Sequence, residues 1–149
     1  MAQALEVARY LIKLAAAEDE PEFLTHLRLQ KLLYYVQGWS LAARNKPMFQ
    51  ERIEAWANGP VVRDVYPRFA SYGRNPIPPD EIPEPVGLNK EEAVFVEAVW
   101  GAYKQYSAGG LWNMTHKEAP WKDARGTLGP AERCTNEITR KALRAFFGQ

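Results

Sequence analysis

The amino-acid sequence predicts a mainly α-helical fold: a single compact bundle of about six helices, with a short β-hairpin near residues 48–57. Three observations lead to this class. Apolar residues recur at intervals of three and four along most of the chain, which is the spacing of one helix face. Residues that favour helix N-caps precede several of these segments. One brief segment alternates with the period of two expected for strands.

Two long helices are predicted in the first third of the chain. Leu5 and Leu11 belong to an apolar stripe that marks a helix over about residues 3–17. Thr25 suits the N-cap of a second helix over about residues 26–44. The apolar face of this second helix is so broad that we expect it at the centre of the fold.

The hairpin is predicted from the segment MFQERIEAW, in which apolar and charged residues alternate weakly. We expect its turn near Glu51–Arg52. Gly59-Pro60 is interpreted as a turn that starts a third helix, because proline is tolerated at the first helical position. Pro67 should shorten or kink that helix, and Gly73 should end it.

The second half of the chain reads as a connection and several further helices. Residues 74–88 hold five prolines and predict a semi-rigid extended segment that lies against the body. Asn89 begins a capping box for a helix to about residue 105. Ser107 suits the N-cap of the next helix, and Pro120 suits the start of a short helix after it. Thr135 is predicted to cap the last helix.

Length, charge and cysteine use narrow the functional class. A chain of 149 residues suits one domain, with no need for a disulfide or a metal to stabilise it. The formal net charge of +1 gives no support to nucleic-acid binding. The single cysteine, Cys134, and the absence of an apolar run of about 20 residues predict a cytoplasmic protein with no membrane partner.

No catalytic or cofactor motif is evident. His26, His116 and Cys134 lack zinc-type spacing, so we expect no metal site and no cofactor. Neither a nucleophile elbow nor a phosphate-binding glycine loop is present. Aromatic residues are the strongest signal: five Trp, seven Tyr and six Phe, often beside polar residues. Many will fill the core, but Trp and Tyr next to polar groups are also typical of binding surfaces.

Three segments carry a resemblance to a known family. LQKLLYYVQGWSLA is followed by KPMF and IEAWANGPVVRDVY, and later by MTHKEAPWKDA. In order and rough spacing these segments resemble the Panacea domain family, the SocA-like antitoxin domain also described as phage-associated GepA-type protein. The resemblance covers about residues 7–147, so we expect a single Panacea domain over residues 1–149.

The resemblance implies a function as well as a fold. It implies a bacterial or prophage antitoxin of a toxin-antitoxin system that neutralises a cognate protein toxin by direct binding. Some relatives are instead proteolytic adaptors that deliver a toxin to an ATP-dependent protease. No enzymatic activity is implied. Residues 74–88 and 125–133 are candidates for partner-specific contacts, because loops vary more easily than packed helices.

The resemblance also nominates family-motif or partner-binding residues at matching positions. They are Gln30, Lys31, Tyr34, Gln37, Trp39, Glu54, Trp56, Gly59, Pro60, Tyr66, His116, Glu118 and Trp121. Our hypothesis is that the three segments converge and pack their tryptophans together, with Gln30, Glu54 and His116 hydrogen-bonded around them. The alternative is a polar network that only specifies the fold.

Two other functional classes stay open from sequence. An enzyme would use Glu54, Glu118 or His116 in a cleft, and would need these groups within hydrogen-bond reach of an open pocket. A nucleic-acid-binding phage regulator would use cations of the second helix and its end, and its binding would depend steeply on salt. These cations are Arg28, Lys31, Arg44 and Lys46.

Overall fold

The computed structural model describes residues 1–149 and contains seven α-helices and a three-stranded antiparallel sheet of order β2-β1-β3. The mainly α class with a short hairpin is therefore confirmed. The helices are α1 (Ala4–Ala16), α2 (His26–Trp39), α3 (Tyr66–Phe69), α4 (Lys90–Tyr103), α5 (Ala108–Lys117), α6 (Ala119–Arg125) and α7 (Arg140–Phe147). The strands are β1 (Ile53–Trp56), β2 (Gly59–Val62) and β3 (Glu137–Ile138).

Helix α2 lies at the centre of the fold, as its broad apolar face predicts. It packs against α1, α4, α5, α7 and β2, and nearly all of its residues are buried. Its N-cap is Thr25, whose hydroxyl accepts a hydrogen bond from the backbone N–H of Arg28. The helix continues as one π-helical turn, Ser40–Arg44, and ends where Asn45 adopts a left-handed conformation with φ of 58°.

The two sides of α2 bind different parts of the molecule. Arg28 and Tyr35 face α4, since the Arg28 guanidinium donates to Lys104 O and Tyr35 stacks on Tyr103. Gln30, about half a turn around the helix from Arg28, accepts a hydrogen bond from Val62 N of the hairpin. Helix α4 therefore lies on one side of α2, and strand β2 lies on the other.

Most helix boundaries agree with the sequence prediction. Asn89 forms a complete capping box with Glu92 at the start of α4. Ser107 caps α5 by accepting a hydrogen bond from Gly110 N. Pro120 lies in the first turn of α6, where its missing N–H leaves no helical bond unmade.

The predicted position of the hairpin turn is wrong. The turn is at Ala57–Asn58 instead of Glu51–Arg52, and Gly59-Pro60 begins strand β2 instead of a helix. Proline is acceptable there because β2 is an edge strand, where a missing N–H breaks no ladder. Gly59 leaves the turn with φ of +114°, a conformation that favours glycine.

Two helix predictions are also corrected. The helix expected after Pro60 is the single turn α3 followed by a 3₁₀ turn, Ala70–Tyr72, because the preceding valines belong to β2. The last helix is capped by Thr139 instead of Thr135, and the Thr139 hydroxyl accepts from Ala142 N. The cap is displaced because Glu137–Ile138 pairs with β1 and is held extended.

The proline-rich segment lies against the body at Ile77 and Ile82. Ile77 is fully buried and its N–H donates to Leu24 O at 2.8 Å, while Ile82 is also buried. The Val86 side chain, in contrast, is exposed. A 3₁₀ turn, Pro79–Glu81, separates the two halves. No helix anywhere in the chain combines the length and the apolar character needed to cross a membrane.

Gly38 allows α7 to pack closely on α2. A Cβ atom at this position would lie 2.2 Å from the ring of Phe147, far inside normal contact distance. The Phe147 ring is itself surrounded by Tyr34, Tyr35 and Trp39 at centroid distances of 5.2–5.9 Å, so it has little freedom to move.

We predict that Gly38→Ala destabilises the fold, although alanine is the better helix former. Overpacking against Phe147 should lower the free energy of unfolding by about 1–3 kcal/mol. Urea denaturation monitored by circular dichroism measures the change.

Gly101 in α4 provides the matched control, because a Cβ there meets no atom within 4 Å. Gly101→Ala should leave stability unchanged or raise it by up to about 1 kcal/mol. A Gly38→Ala variant as stable as Gly101→Ala would contradict the close packing.

Candidate functional site around the hairpin turn

The four consecutive backbone carbonyls of residues 55–58, at the hairpin turn, each lie against a side-chain donor. The donors, in order of the carbonyls from 55 to 58, are Nη1 of Arg125 (3.0 Å), Nε1 of Trp121 (2.8 Å), Nε2 of His116 (3.0 Å) and Nζ of Lys31 (2.7 Å). These donors come from α2, α5 and α6. The three sequence segments that resemble the family therefore meet at one turn.

The tryptophans converge only in part. Trp121 contacts Trp56 through the hydrogen bond to its carbonyl. Trp39 lies near the other end of α2, where its ring packs on Phe147 and its Nε1 donates to the Tyr103 hydroxyl at 2.7 Å. The hypothesis that all three tryptophans pack together is therefore wrong for Trp39.

Two buried glutamines of α2 bind backbone groups of neighbouring segments. Gln30 accepts from Val62 N at 2.8 Å, which directs its amide nitrogen toward His26 Nε2 at 3.0 Å. Gln37 accepts from Met48 N and donates to Phe49 O, both at 2.8 Å. Each side-chain amide thus supplies a hydrogen-bond partner to a backbone group that would otherwise be buried without one.

Lys31 is a fully buried lysine whose Nζ is bonded to a backbone oxygen and to no carboxylate. Burial lowers the pKa of Lys31 to about 7. Burial, and secondarily the charge of Lys31, also lowers the pKa of His26 to about 4. A Cβ at Gly59 would lie 3.1 Å from the Lys31 Nζ, so glycine at the turn makes room for this contact.

Glu118 lies between α5 and α6, and its carboxylate accepts hydrogen bonds from the hydroxyls of Tyr34 and Tyr35, both at 2.9 Å. Burial raises the pKa of Glu118, against the opposite influence of the two tyrosine hydrogen bonds. Tyr35 stacks on Tyr103, which in turn bonds Trp39. Glu118 and Trp39 are thus connected through aromatic contacts on the α4 side of α2.

Glu54 is fully buried in β1 and joins the hairpin to surface arginines. Its Oε1 accepts from Trp56 Nε1 at 2.8 Å. Its Oε2 faces Arg52 Nε at 3.1 Å and Arg63 Nη1 at 3.5 Å. The Trp56 ring packs on Tyr66, with a centroid distance of 4.8 Å.

The His116 ring is held in one orientation between α5 and the turn. Its Nε2 lies 3.0 Å from Ala57 O and its Nδ1 lies 2.7 Å from Trp112 O. Burial lowers the pKa of His116, which favours the neutral ring with one N–H. A neutral ring donates to only one of these two carbonyls, whereas a protonated ring donates to both.

A cavity of about 330 Å³ lies beside the turn. It is lined by Trp56, Ala57 and Asn58 of the hairpin and by Ala131 and Arg133–Thr135 of the loop between α6 and β3. This volume lies at the lower end of the range for ligand pockets, about 300–1,000 Å³. No group of three or more His, Cys, Asp or Glu side chains is arranged to hold a metal ion.

Sequence reasoning missed Arg125, which is buried and bonds three backbone carbonyls. Besides Ala55 O, it donates to Gly129 O and Glu132 O, both at 2.7 Å. Arg125 follows Trp121 by four residues and so lies on the same helix face. That spacing is the signal that could have identified it.

We predict that Trp121→Phe destabilises the fold, because it removes the donor to Trp56 O and leaves a carbonyl unsatisfied. The expected loss in free energy of unfolding is about 1–3 kcal/mol. Trp112→Phe is the matched control, since the Trp112 indole is 39% exposed and its Nε1 makes no hydrogen bond within the chain. Equal unfolding midpoints for the two variants would contradict the role of this bond.

We also predict a pH-dependent contribution from Lys31. Its pKa is about 7 in the folded chain, against an ordinary value of 10.5. Between these pH values the unfolded state binds the additional proton, so the free energy of unfolding rises with pH; below pH 7 the full cost of burying the charge is present. The stability of the wild type relative to Lys31→Met should therefore increase from pH 7 to 10, by at most about 1.4 kcal/mol per unit.

Urea unfolding of both proteins over this pH range provides the measurement. Lys90→Met is the control, since Lys90 is exposed and its difference from the wild type should not vary with pH. A flat difference for Lys31→Met as well would show that burial does not depress the Lys31 pKa.

Comparison with known proteins identifies the family. Residues 29–122 match the family described as Antitoxin SocA-like, Panacea domain. A segment of 67 residues is 42% identical to Antitoxin SocA of Caulobacter vibrioides (strain NA1000 / CB15N), and it covers 45% of this chain and 35% of that protein. The chain thus spans about a third of the length of this curated relative. No solved structure matches the chain. Because the family match covers more than half of residues 1–149, the chain belongs to the Antitoxin SocA-like, Panacea domain family.

Proposed function

We propose that this chain is an antitoxin that neutralises a cognate protein toxin by binding it directly. The observation that carries the proposal is the family match over residues 29–122, the part of the chain that contains the hairpin turn and three of its four donors, Lys31, His116 and Trp121. The name of the relative Antitoxin SocA supports the same function.

The arrangement of the acidic and imidazole side chains supports a non-enzymatic role. Glu118 is bonded to two tyrosines, Glu54 to Trp56 and His116 to a backbone carbonyl. None of the three lines the cavity beside the turn. An acid/base mechanism would require at least two of them at an open pocket within reach of one substrate.

The nominated residues divide into two groups by exposure. Gln30, Lys31, Gln37 and Glu54 are buried, so their role in binding would be to hold the hairpin in place. Tyr66 is 39% exposed beside the turn. Trp112 in α5, which was not nominated, has the same exposed fraction. We propose that these exposed aromatic rings contact the toxin, since large aromatic side chains dominate the energy of protein interfaces.

Co-expression tests the function. The gene next to that of this chain is induced alone and together with it, and growth is followed. We expect growth arrest without this chain and growth with it. Tyr66→Ala/Trp112→Ala should lose protection. Tyr66 packs on Trp56 and Trp112 stacks on His116, so a circular dichroism melt of the variant measures the stability lost with these contacts.

The amount of toxin in the rescued culture distinguishes two mechanisms. An unchanged amount indicates inhibition by binding, whereas a loss that requires an ATP-dependent protease indicates delivery for degradation. Identical growth arrest with and without this chain would rule out the antitoxin function for that gene pair.

A further inference from the structure

The near-neutral net charge conceals a strong separation of charge along the chain. Residues 18–22 and 80–97 carry ten of the 18 acidic residues and one of the 19 basic residues. The remaining residues carry 18 basic and eight acidic side chains. Five of those cations pair with carboxylates of the acidic segments, which leaves 13 basic and eight acidic side chains for the rest of the molecule. A uniform surface charge is therefore a poor description of this protein.

Both acidic segments lie at helix α4. Glu18 accepts from Trp100 Nε1 at 2.8 Å and pairs with Lys104, so residues 18–22 adjoin the end of α4. Residues 80–97 include the first half of α4 and a segment that pairs with α1 through Glu84 and Lys13. Helix α4 lies on the side of α2 away from strand β2, so the acidic residues of its first half and of residues 18–22 concentrate there.

The hairpin side presents cations together with exposed aromatic rings. Arg52 and Arg63 adjoin the buried carboxylate of Glu54, which balances one of their two charges. Arg133 lines the cavity beside the turn, is exposed and makes no hydrogen bond or ion pair within the chain. The partly exposed Tyr66 lies beside Trp56, whose ring forms a wall of the same cavity.

We infer that the cognate toxin binds this hairpin side through an acidic surface of its own, with an acidic side chain placed near Arg133 at the cavity. The inference rests on the proposed antitoxin function and specifies the chemistry of the partner. Trp, Tyr and Arg are the residue types that contribute most at protein interfaces, and all three meet here. Opposite charge on the partner would accelerate association and select the correct toxin.

The same face suits a protein better than a nucleic acid. Asp64, Glu132 and Glu137 are exposed among the cations of the hairpin and the following loop. A phosphate backbone would meet these carboxylates along with the cations, and it favours an uninterrupted basic stripe. A protein surface can place acidic groups opposite the cations and neutral groups opposite the carboxylates.

Charge reversal at two unpaired, exposed residues tests the inference. Arg133→Glu changes the hairpin side, and Lys90→Glu makes the same charge change at the start of α4 on the opposite side. Association of the purified toxin is measured by stopped-flow fluorescence at low and high salt. Arg133→Glu should slow association about tenfold at low salt and less at high salt, because salt screens the lost attraction. Lys90→Glu should stay within about twofold of the wild type.

The other outcomes are distinct. Equal rates for both variants, with no effect of salt, would overturn this inference and leave the antitoxin function standing. A wild-type chain that fails to bind the toxin would overturn the proposed function, and the inference with it. A fluorescent single-stranded oligonucleotide tests the nucleic-acid alternative. If it binds the wild type but not Arg133→Glu, and toxin binding is the same for both proteins, this face binds a nucleic acid and the inference is wrong.

Discussion

The fold depends on supplying hydrogen-bond donors to the backbone carbonyls of the hairpin turn. A two-stranded hairpin is at best marginally stable alone, and its turn oxygens need donors once they are covered by helices. Here α2 and α5 contribute one donor each and α6 contributes two, so that four successive oxygens are bonded. Any shift of one helix by a few ångströms would leave a covered carbonyl without its donor. The turn therefore fixes the mutual placement of three helices.

This constraint explains why α2 buries polar side chains along with its apolar face. Leucines alone would permit several rotations of a central helix, because hydrophobic packing is not directional. Gln30, Lys31 and Gln37 each bond a backbone group of a different segment, so only one rotation satisfies all of them. A buried polar network of this kind, in which each side chain has a partner, specifies a unique core. Lys31 is the extreme case, since it is buried as a potential cation beside a glycine that leaves it space.

The helices could be predicted from sequence because their signals are local. The stripe of α1 and the caps at Thr25, Asn89 and Ser107 are visible within a few residues. The hairpin was predicted at the wrong position because strands of four residues are too short to show a clear alternation of apolar and polar residues. Gly59-Pro60 is also compatible with either a helix start or an edge strand. The pairing of Glu137–Ile138 with β1 spans more than 80 residues and leaves no local signal.

The candidate site could be predicted less completely, for a physical reason. The resemblance to the family nominated three of its four donors, Lys31, His116 and Trp121. Their acceptors are backbone carbonyls, which every residue possesses and no pattern distinguishes. Trp39 was grouped with the other tryptophans by residue type, although its indole bonds a tyrosine on the α4 side of α2.

The donors that hold the turn are buried, whereas the aromatic rings beside it are exposed, and this arrangement affects how the hairpin side can bind a partner. The turn is held by interior bonds from three helices, so a partner would meet a surface that is already ordered. Preorganisation of this kind lowers the entropic cost of association, so more of the contact energy remains as affinity. The loop that carries Arg133 is attached to the same site through Arg125, which bonds the carbonyls of Gly129 and Glu132 as well as that of Ala55. Substitutions at the exposed positions can then alter partner preference without disturbing the bonds that hold the turn.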